Sequence, residues 1–209
     1  MACPPDEQFL VGQPILGQSW LPPTTVMFPQ RRIALSWKNK AGRAIWNACR
    51  LTLYCASPVA LHGWRRFLLR CFGAGIAGDA RPYPGARIWA PWNLVMRERS
   101  CLANDVDCYC VDRIELGRDA IVSQYAYLCS ASHDFRSPDF DLVTAPIHIA
   151  EGAWVAAKSF IGPGVTIGSR SVVAACSVVV RDVPSGSVVA GNPARIVGRA
   201  ARDDKYATA

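Results

Sequence analysis

Aliphatic side chains return at every sixth position between residues 149 and 179 without a break. The period is carried by Ile149, Val155, Ile161, Ile167, Val173 and Val179. Helices repeat near 3.6 residues and strands near 2, so a period of six fits neither element alone. Mostly small or aliphatic residues stand two places before these positions, as expected for the inward-facing side of very short strands. The pattern predicts a parallel β-helix, whose chain winds into triangular coils with one short strand on each face.

The same repeat predicts that the β-helix extends over residues 86–194, with one interruption. Leu128 and Ile149 are 21 residues apart, which is three hexapeptides plus three residues. A regular coil cannot absorb that remainder, so a segment near residues 129–146 is predicted to loop out. Loops held by a rigid scaffold are a common location for functional residues. The repeat ends at Gly-Asn-Pro-Ala, and residues 195–209 are predicted to form a short tail that could carry a helix.

Residues 1–85 follow a different pattern and are predicted to form an N-terminal arm and a helical segment. Residues 1–34 are rich in proline and glycine, whereas helical periodicity covers residues 41–54 and 59–72. Both helices are amphipathic, aromatic and basic. One interpretation is a cap that covers the open end of the β-helix or packs on a neighbouring subunit, which is favoured because an uncovered coil end is prone to aggregate. The other is a peripheral contact with a membrane surface.

Composition limits the classes of binding partner and the cellular compartment that we expect for this protein. A net charge of +7 and a pI of 9.1 favour a polyanionic partner. No nucleic-acid-binding motif accompanies the basic residues, so we do not expect nucleic acid to be that partner. The chain starts without a signal-peptide pattern and contains no apolar run long enough to span a bilayer. Nine cysteines with irregular spacing indicate small core residues in a reducing, cytoplasmic protein rather than a disulfide framework. Neither these cysteines nor the three histidines form a recognisable metal-ligand pattern, so no metal is expected.

Several segments of this chain resemble a known family. Residues 152–195, GAWVAAKSFIGPGVTIGSRSVVAACSVVVRDVPSGSVVAGNPAR, resemble the C-terminal signature of hexapeptide-repeat acyltransferases such as the galactoside and maltose O-acetyltransferases. The segments RAIWN, ARIWAPWNL and SQYAYLCSASHDF are similar to the colanic-acid-type exopolysaccharide O-acetyltransferases within that family. The resemblance implies a left-handed β-helix, a homotrimer, acetyl-CoA as acyl donor and a sugar hydroxyl as acceptor.

His133 lies in the segment predicted to loop out and matches the catalytic histidine of the family. Transfer to a hydroxyl needs a base that removes its proton during attack on the thioester, and imidazole has a suitable pKa. A carboxylate or a backbone carbonyl on the other ring nitrogen would hold the imidazole in one tautomer. Asp134 is adjacent in the chain, and a backbone carbonyl is an equally good candidate.

The resemblance also implies residues that bind the donor and the acceptor. The donor-binding candidates are Trp154, Ala174, Ala175, Arg181 and Arg195. The two arginines suit the phosphates of coenzyme A, and the alanines suit close approach of its pantetheine arm. The acceptor-binding candidates are Asp107, Tyr109, Asp112 and Asp134.

Two alternative functions stay open. One is an N-acetyltransferase or a serine-type acetyltransferase on the same fold. The other is a trimeric scaffold without activity, because Ala174-Ala175-Cys176 replaces the glycine-alanine-glycine usual in the family.

Overall fold

The computed structural model describes residues 31–32 and 36–200 of the 209-residue chain. Most of the predicted arm and the end of the predicted tail lie outside the described residues. Two helices come first: α1 spans Trp37–Cys49 and continues as a π-helical stretch over Arg50–Tyr54, and α2 spans His62–Cys71. These helices confirm the predicted helical segment. Among the described residues, no helix is long and apolar enough to cross a bilayer.

The remaining elements are strands of two to six residues, numbered in chain order. Strand β1 (Arg31–Arg32) precedes the helices. Five complete coils are built from the following strands: β2 (Gly75–Ile76), β3 (Arg81–Pro82), β4 (Arg87–Ile88), β5 (Leu94–Met96), β6 (Cys101–Leu102), β7 (Asp107–Tyr109), β8 (Ile114–Leu116), β9 (Ile121–Val122), β10 (Tyr127–Cys129), β13 (Ile147–Ile149), β14 (Trp154–Val155), β15 (Phe160–Ile161), β16 (Thr166–Ile167), β17 (Val172–Val173) and β18 (Val178–Val179). A hairpin of β11 (Ala131–His133) and β12 (Leu142–Thr144) interrupts them, and β19 (Ser187–Gly191) and β20 (Ala194–Arg199) close the fold.

The coils stack into three parallel sheets, which we call the first, second and third faces. The first face consists of β2, β5, β8, β13 and β16, the second of β3, β6, β9, β14, β17 and β19, and the third of β4, β7, β10, β15 and β18. The register aligns equivalent repeat positions, as in Ile149 beside Ile167 and Val155 beside Val173. The fold is a parallel β-solenoid, consistent with the predicted left-handed β-helix. The corners form three edges, named 1–2, 2–3 and 3–1 after the faces they join.

The hexapeptide positions form the core, as predicted. Five of the six aliphatic residues in the regular stretch have no exposed surface, and Val179 is 2% exposed. Glycine is required after one of these positions because successive coils approach closely there. A Cβ atom on Gly168 would lie 2.7 Å from the carbonyl oxygen of Val183 on the next coil. The period of six therefore reflects both inward packing and the tight stacking of backbones.

The helices cap the first coil. Trp46 and Tyr54 are fully buried in the same apolar cluster as Ile88. The indole Nε1 of Trp46 donates to the carbonyl oxygen of Ile88 at 2.7 Å, and the Tyr54 hydroxyl donates to that of Tyr83 at 3.1 Å. The cap interpretation of the helices is confirmed by these contacts.

The described chain departs from the expected boundaries at both ends. The first coil begins at Gly75 rather than near residue 86, because β2 and β3 already pair with β5 and β6 of the next coil. At the other end, Ala194–Arg199 form strand β20, antiparallel to β19. These residues are therefore part of the second face, and the start of the predicted tail is a strand rather than a helix.

Candidate active site

His133 ends one strand of a hairpin that projects from edge 3–1, between the third and fourth coils. Strands β11 and β12 pair antiparallel, with His133 opposite Leu142. Strand β1 extends this small sheet, with Arg32 opposite Val143. The predicted loop is therefore a three-stranded sheet that includes a piece of the N-terminal arm, and His133 stands exposed near its tip.

The imidazole of His133 is held by its own hairpin. Its Nδ1 lies 2.8 Å from the carbonyl oxygen of Phe140, and the two rings stack with centroids 4.5 Å apart. A carbonyl oxygen only accepts hydrogen bonds, so Nδ1 carries the proton in the neutral ring. Nε2 is then unprotonated and can accept a proton. Of the two orienting groups considered from the sequence, the structure places a backbone carbonyl at Nδ1.

Asp134 faces the arm rather than the imidazole. One of its carboxylate oxygens accepts from the backbone N–H of Arg136 at 3.0 Å, and the other lies 3.8 Å from the guanidinium of Arg32. Arg32 also pairs with Asp141 at 3.0 Å. These charges tie the tip of the hairpin to β1, so Asp134 supports the shape of the loop that holds His133.

Asp112 lies at the base of the same hairpin, on edge 3–1. One carboxylate oxygen accepts from the N–H of Arg113 at 2.7 Å, and the other accepts from the Thr144 hydroxyl at 3.0 Å. The backbone N–H of Asp112 donates to the hydroxyl of Ser130, the residue before β11, at 2.9 Å. Asp112 thus joins the two ends of the hairpin to the preceding coil.

Asp107 and Tyr109 lie on the outer side of the third face. Asp107 pairs with Arg87 at 3.1 Å, and Tyr109 belongs to a row of aromatic rings that crosses successive coils. The row runs through Trp89, Tyr109, Tyr127 and Phe160. Burial raises the pKa of the Tyr109 phenol, which keeps it a neutral hydrogen-bonding group.

The residues expected beside the pantetheine arm lie elsewhere. Trp154 is on the second face, 42% exposed, and its Nε1 donates to the hydroxyl of Ser123 at 2.9 Å. Ala174 and Ala175 lie at edge 2–3, at the turn between β17 and β18. The turn is held by the N–H of Cys176, which donates to the carbonyl of Ala157 on the preceding coil at 3.0 Å.

Arg181 and Arg195 line one cleft at the C-terminal end of the β-helix. The cleft has a volume of about 310 Å³, and apolar walls formed by Val180 and Ile196 complete it. The one carboxylate beside it, that of Asp182, accepts from the N–H of Thr166 at 2.7 Å. Both arginines are exposed, so the cleft presents two guanidinium groups to an anion.

The candidate residues follow two different edges of the β-helix. Edge 3–1 carries the His133 hairpin and, two coils later, Arg181. Neighbouring strands are about 4.8 Å apart, so these corners are roughly 10 Å apart along the axis. Ala174 and Ala175 lie on edge 2–3, across the width of the third face. One chain therefore distributes the predicted donor residues over both edges.

Sequence reasoning missed three contributors to this arrangement. Phe140 holds the imidazole, Arg32 braces the hairpin, and Ser123 orients the Trp154 indole. No local pattern marks them, because each acts on a residue from another strand or coil. Within the described part of the chain, no group of three histidine, cysteine, aspartate or glutamate residues could hold a metal ion.

Comparison with known proteins identifies the family. Residues 146–181 match the family model described as bacterial transferase hexapeptide (six repeats). The Escherichia coli protein WcaF, named as a colanic acid biosynthesis acetyltransferase, is 39% identical over 153 residues, which are 73% of this chain and 84% of WcaF. The chain belongs to the hexapeptide-repeat acetyltransferases.

Two solved structures of other acetyltransferases share the architecture of this chain. A maltose O-acetyltransferase from Clostridium difficile superposes with a TM-score of 0.71 at 23% identity, covering 80% of this chain and 90% of that protein. A hexapeptide-repeat acetyltransferase from Vibrio cholerae, complexed with acetyl coenzyme A, superposes with a TM-score of 0.69 at 26% identity, covering 80% and 91%. The recognition of the family from sequence is confirmed, and the protein is an acyltransferase.

Proposed function

We propose that this enzyme transfers an acetyl group from acetyl-CoA to a sugar hydroxyl during assembly of an exopolysaccharide or glycolipid. The observation that carries the proposal is the hydrogen bond from Nδ1 of His133 to the Phe140 carbonyl, which leaves Nε2 free to accept a proton. The likeness to WcaF, named for colanic acid biosynthesis, supports a polysaccharide acceptor. The acetyl-CoA complex of the similar Vibrio cholerae enzyme supports the donor.

His133 acts as general base in this proposal. Its Nε2 removes the proton from the acceptor hydroxyl as the oxygen attacks the thioester carbonyl. The imidazolium then returns that proton to the departing thiolate sulfur, so the histidine ends the cycle neutral. The Phe140 carbonyl stabilises the imidazolium, because it accepts a hydrogen bond whose donor has become charged. No acyl group is placed on the enzyme, and both substrates are bound together.

The chain's own residues fit the donor. The cleft between Arg181 and Arg195 offers two guanidinium groups for phosphate oxygens. The exposed turn at Ala175 offers a surface without large side chains for the pantetheine arm, with the Trp154 indole on the second face. Asp107 and Tyr109 on the third face are our candidates for acceptor contacts, whereas Asp112 and Asp134 position the hairpin.

The enzyme works as a homotrimer in this proposal, with each site between two copies. This proposal is supported by the division of the candidate site residues between two edges. Edge 3–1 of one copy and edge 2–3 of the next can enclose one site. We place the enzyme in the cytoplasm. The eight cysteines of the described residues are all unpaired, which fits a reducing compartment.

Release of free coenzyme A thiol tests the proposal. The purified enzyme is assayed with acetyl-CoA and with free, nucleotide-linked and lipid-linked glycans, including amino sugars. We expect thiol release with a hydroxyl acceptor, and a loss of about 10²- to 10⁴-fold for His133→Ala. His148→Ala is the matched control, because His148 is exposed on the first face and should leave the rate unchanged. Activity only with amine acceptors, or an unchanged rate for His133→Ala, would contradict the proposal.

A further inference from the structure

The helical cap carries an exposed apolar surface on the side that faces away from the coils. We call it the cap surface, and its exposed fractions are 63% for Leu51, 48% for Leu53, 48% for Leu61, 39% for Trp64 and 55% for Phe67. The Trp64 indole joins the two helical segments, because its Nε1 donates to the carbonyl of Leu53 at 3.1 Å. The Trp64 and Phe67 rings stack with centroids 5.8 Å apart.

The cap surface is not needed to close the β-helix. Helix α2 already packs on the coil through Leu68 and Leu69, which are 5% and 0% exposed. The buried Arg65 donates to the carbonyl oxygens of Pro58 and Pro82, both at 2.7 Å, and so fixes the linker between the helices to the coil. The apolar side chains on the opposite side of the cap are therefore unused by the fold, and contiguous exposed apolar surface of this kind marks an interaction site.

The charge around the cap surface has one sign. Residues 36–78 contain no aspartate or glutamate. The same stretch contains seven basic residues: Lys38, Lys40, Arg43, Arg50, Arg65, Arg66 and Arg70. None of these seven takes part in an ion pair with another described residue. The partner that matches the cap is therefore negatively charged as well as apolar.

We propose that the cap surface docks the enzyme on an anionic lipid bilayer. Leu51, Leu61 and Phe67 enter the boundary between headgroups and acyl chains, and the Trp64 indole lies at headgroup level, where aromatic rings with a polar atom are favoured. The lysines and arginines of this stretch other than the buried Arg65 neutralise lipid phosphates, each contributing attraction that falls with salt. The docking adds to the proposed acetyl transfer and does not depend on it.

Vesicle flotation of the full-length protein tests the docking. The probes are vesicles of phosphatidylcholine alone and vesicles with roughly 30% phosphatidylglycerol, at low and high salt. We expect flotation with the anionic vesicles at low salt, and at least tenfold weaker binding to neutral vesicles or at high salt. The double variant Leu61→Ser with Phe67→Ser should bind the anionic vesicles at least tenfold more weakly. Equal binding to both vesicle types, or no binding to either, overturns the proposal.

The matched control is Ile196→Ser with Val197→Ser. These residues are 60% and 63% exposed at the opposite end of the β-helix, so the change in exposed apolar area is similar. We expect this variant to float like the wild type. If instead the Leu61 and Phe67 variant has a lower mass by light scattering without vesicles, the cap surface joins two copies of this chain and the proposal is wrong. Acetyl transfer to a soluble acceptor reports separately on the proposed function.

Discussion

The rings of His133 and Phe140 lie nearly parallel, with an angle of 8° between their planes and 4.5 Å between their centroids. Phe140 also supplies the carbonyl oxygen that accepts from Nδ1 at 2.8 Å. Its backbone has a φ of 50°, in the left-handed region that glycine adopts without strain. One residue thus controls both the plane and the tautomer of the proposed base.

Phe140→Gly separates these two contributions. Glycine tolerates the left-handed conformation and keeps the carbonyl, so only the ring contact is lost. An aromatic pair contributes about 0.5–1.5 kcal/mol, so we expect kcat to fall by roughly two- to twelvefold. The KM for acetyl-CoA should stay within about twofold, because the change leaves donor binding in place. Steady-state kinetics make the measurement.

Phe135→Ala is the control for this variant. Phe135 lies in the same hairpin but is 77% exposed, so its removal should leave kcat unchanged. Equal rates for Phe140→Gly and the wild type would show that the ring contact does not position the imidazole.

Mixing two inactive variants tests whether each site is shared between copies. His133→Ala removes the base from edge 3–1, and Ala175→Trp places a bulky side chain on the exposed turn at edge 2–3. Random mixing restores an intact pair of edges at about one site in four, so co-expression should recover roughly a quarter of the wild-type rate. The rate of coenzyme A thiol release is compared with that of each variant alone.

The control pair for mixing is His133→Ala with Arg181→Ala, assayed at an acetyl-CoA concentration far below the KM of the Arg181 variant so that both parents are nearly inactive. Both residues lie on edge 3–1 of the same copy. Every copy in a mixed trimer then carries one of the two substitutions on its edge 3–1. No site is therefore intact, and no recovery is expected. Recovery by the control pair, or none by the first pair, would contradict the shared site.

Arg181→Ala and Arg195→Ala test the donor cleft. Charge-assisted hydrogen bonds contribute about 1.5–3 kcal/mol, so each variant should raise the KM for acetyl-CoA by roughly ten- to a hundredfold. The kcat should change little, because the phosphates are remote from the reacting carbonyl. The matched control is Arg118→Ala, an exposed arginine at edge 1–2 whose loss should leave the KM unaltered.

The lowered pKa of His62 predicts how the free energy of unfolding depends on pH. Burial lowers the pKa of His62, whose Nδ1 lies 3.0 Å from the carbonyl of Pro82. The folded protein therefore favours the neutral ring, and the unfolded chain binds more protons once the pH falls below about 6.5. The contribution of His62 to the stability of the fold is fully present above that pH. It is lost as the pH falls through the lower pKa that His62 has in the folded protein.

Urea unfolding at pH 7.5, 6.5 and 5.5 and at one protein concentration measures this effect. His62→Gln should lose less stability between pH 7.5 and 5.5 than the wild type. His148→Gln is the control, because that side chain is exposed and its loss should leave the slope as in the wild type. A slope for His62→Gln equal to that of the wild type would contradict the assignment.

Arg65 illustrates what local patterns misjudge. It lies in a helix expected to be amphipathic and basic, yet its side chain is fully buried and donates to Ser57, Pro58 and Pro82. Its neighbour Phe67 is the exposed residue instead. Helical periodicity predicts that a face is buried, but which face meets the coil depends on contacts with residues far along the chain.

The sequence alone determined the coiled part of this protein, because each hexapeptide packs only on the preceding and following coils. That local rule was sufficient to predict the core positions from Ile149 to Val179 and the interruption that carries His133. Only the tertiary structure decided that Phe140 orients the imidazole, that Arg32 braces the hairpin, and that the candidates divide between two edges. These contacts join segments without a common period, so their geometry depends on how the whole chain packs rather than on its repeat.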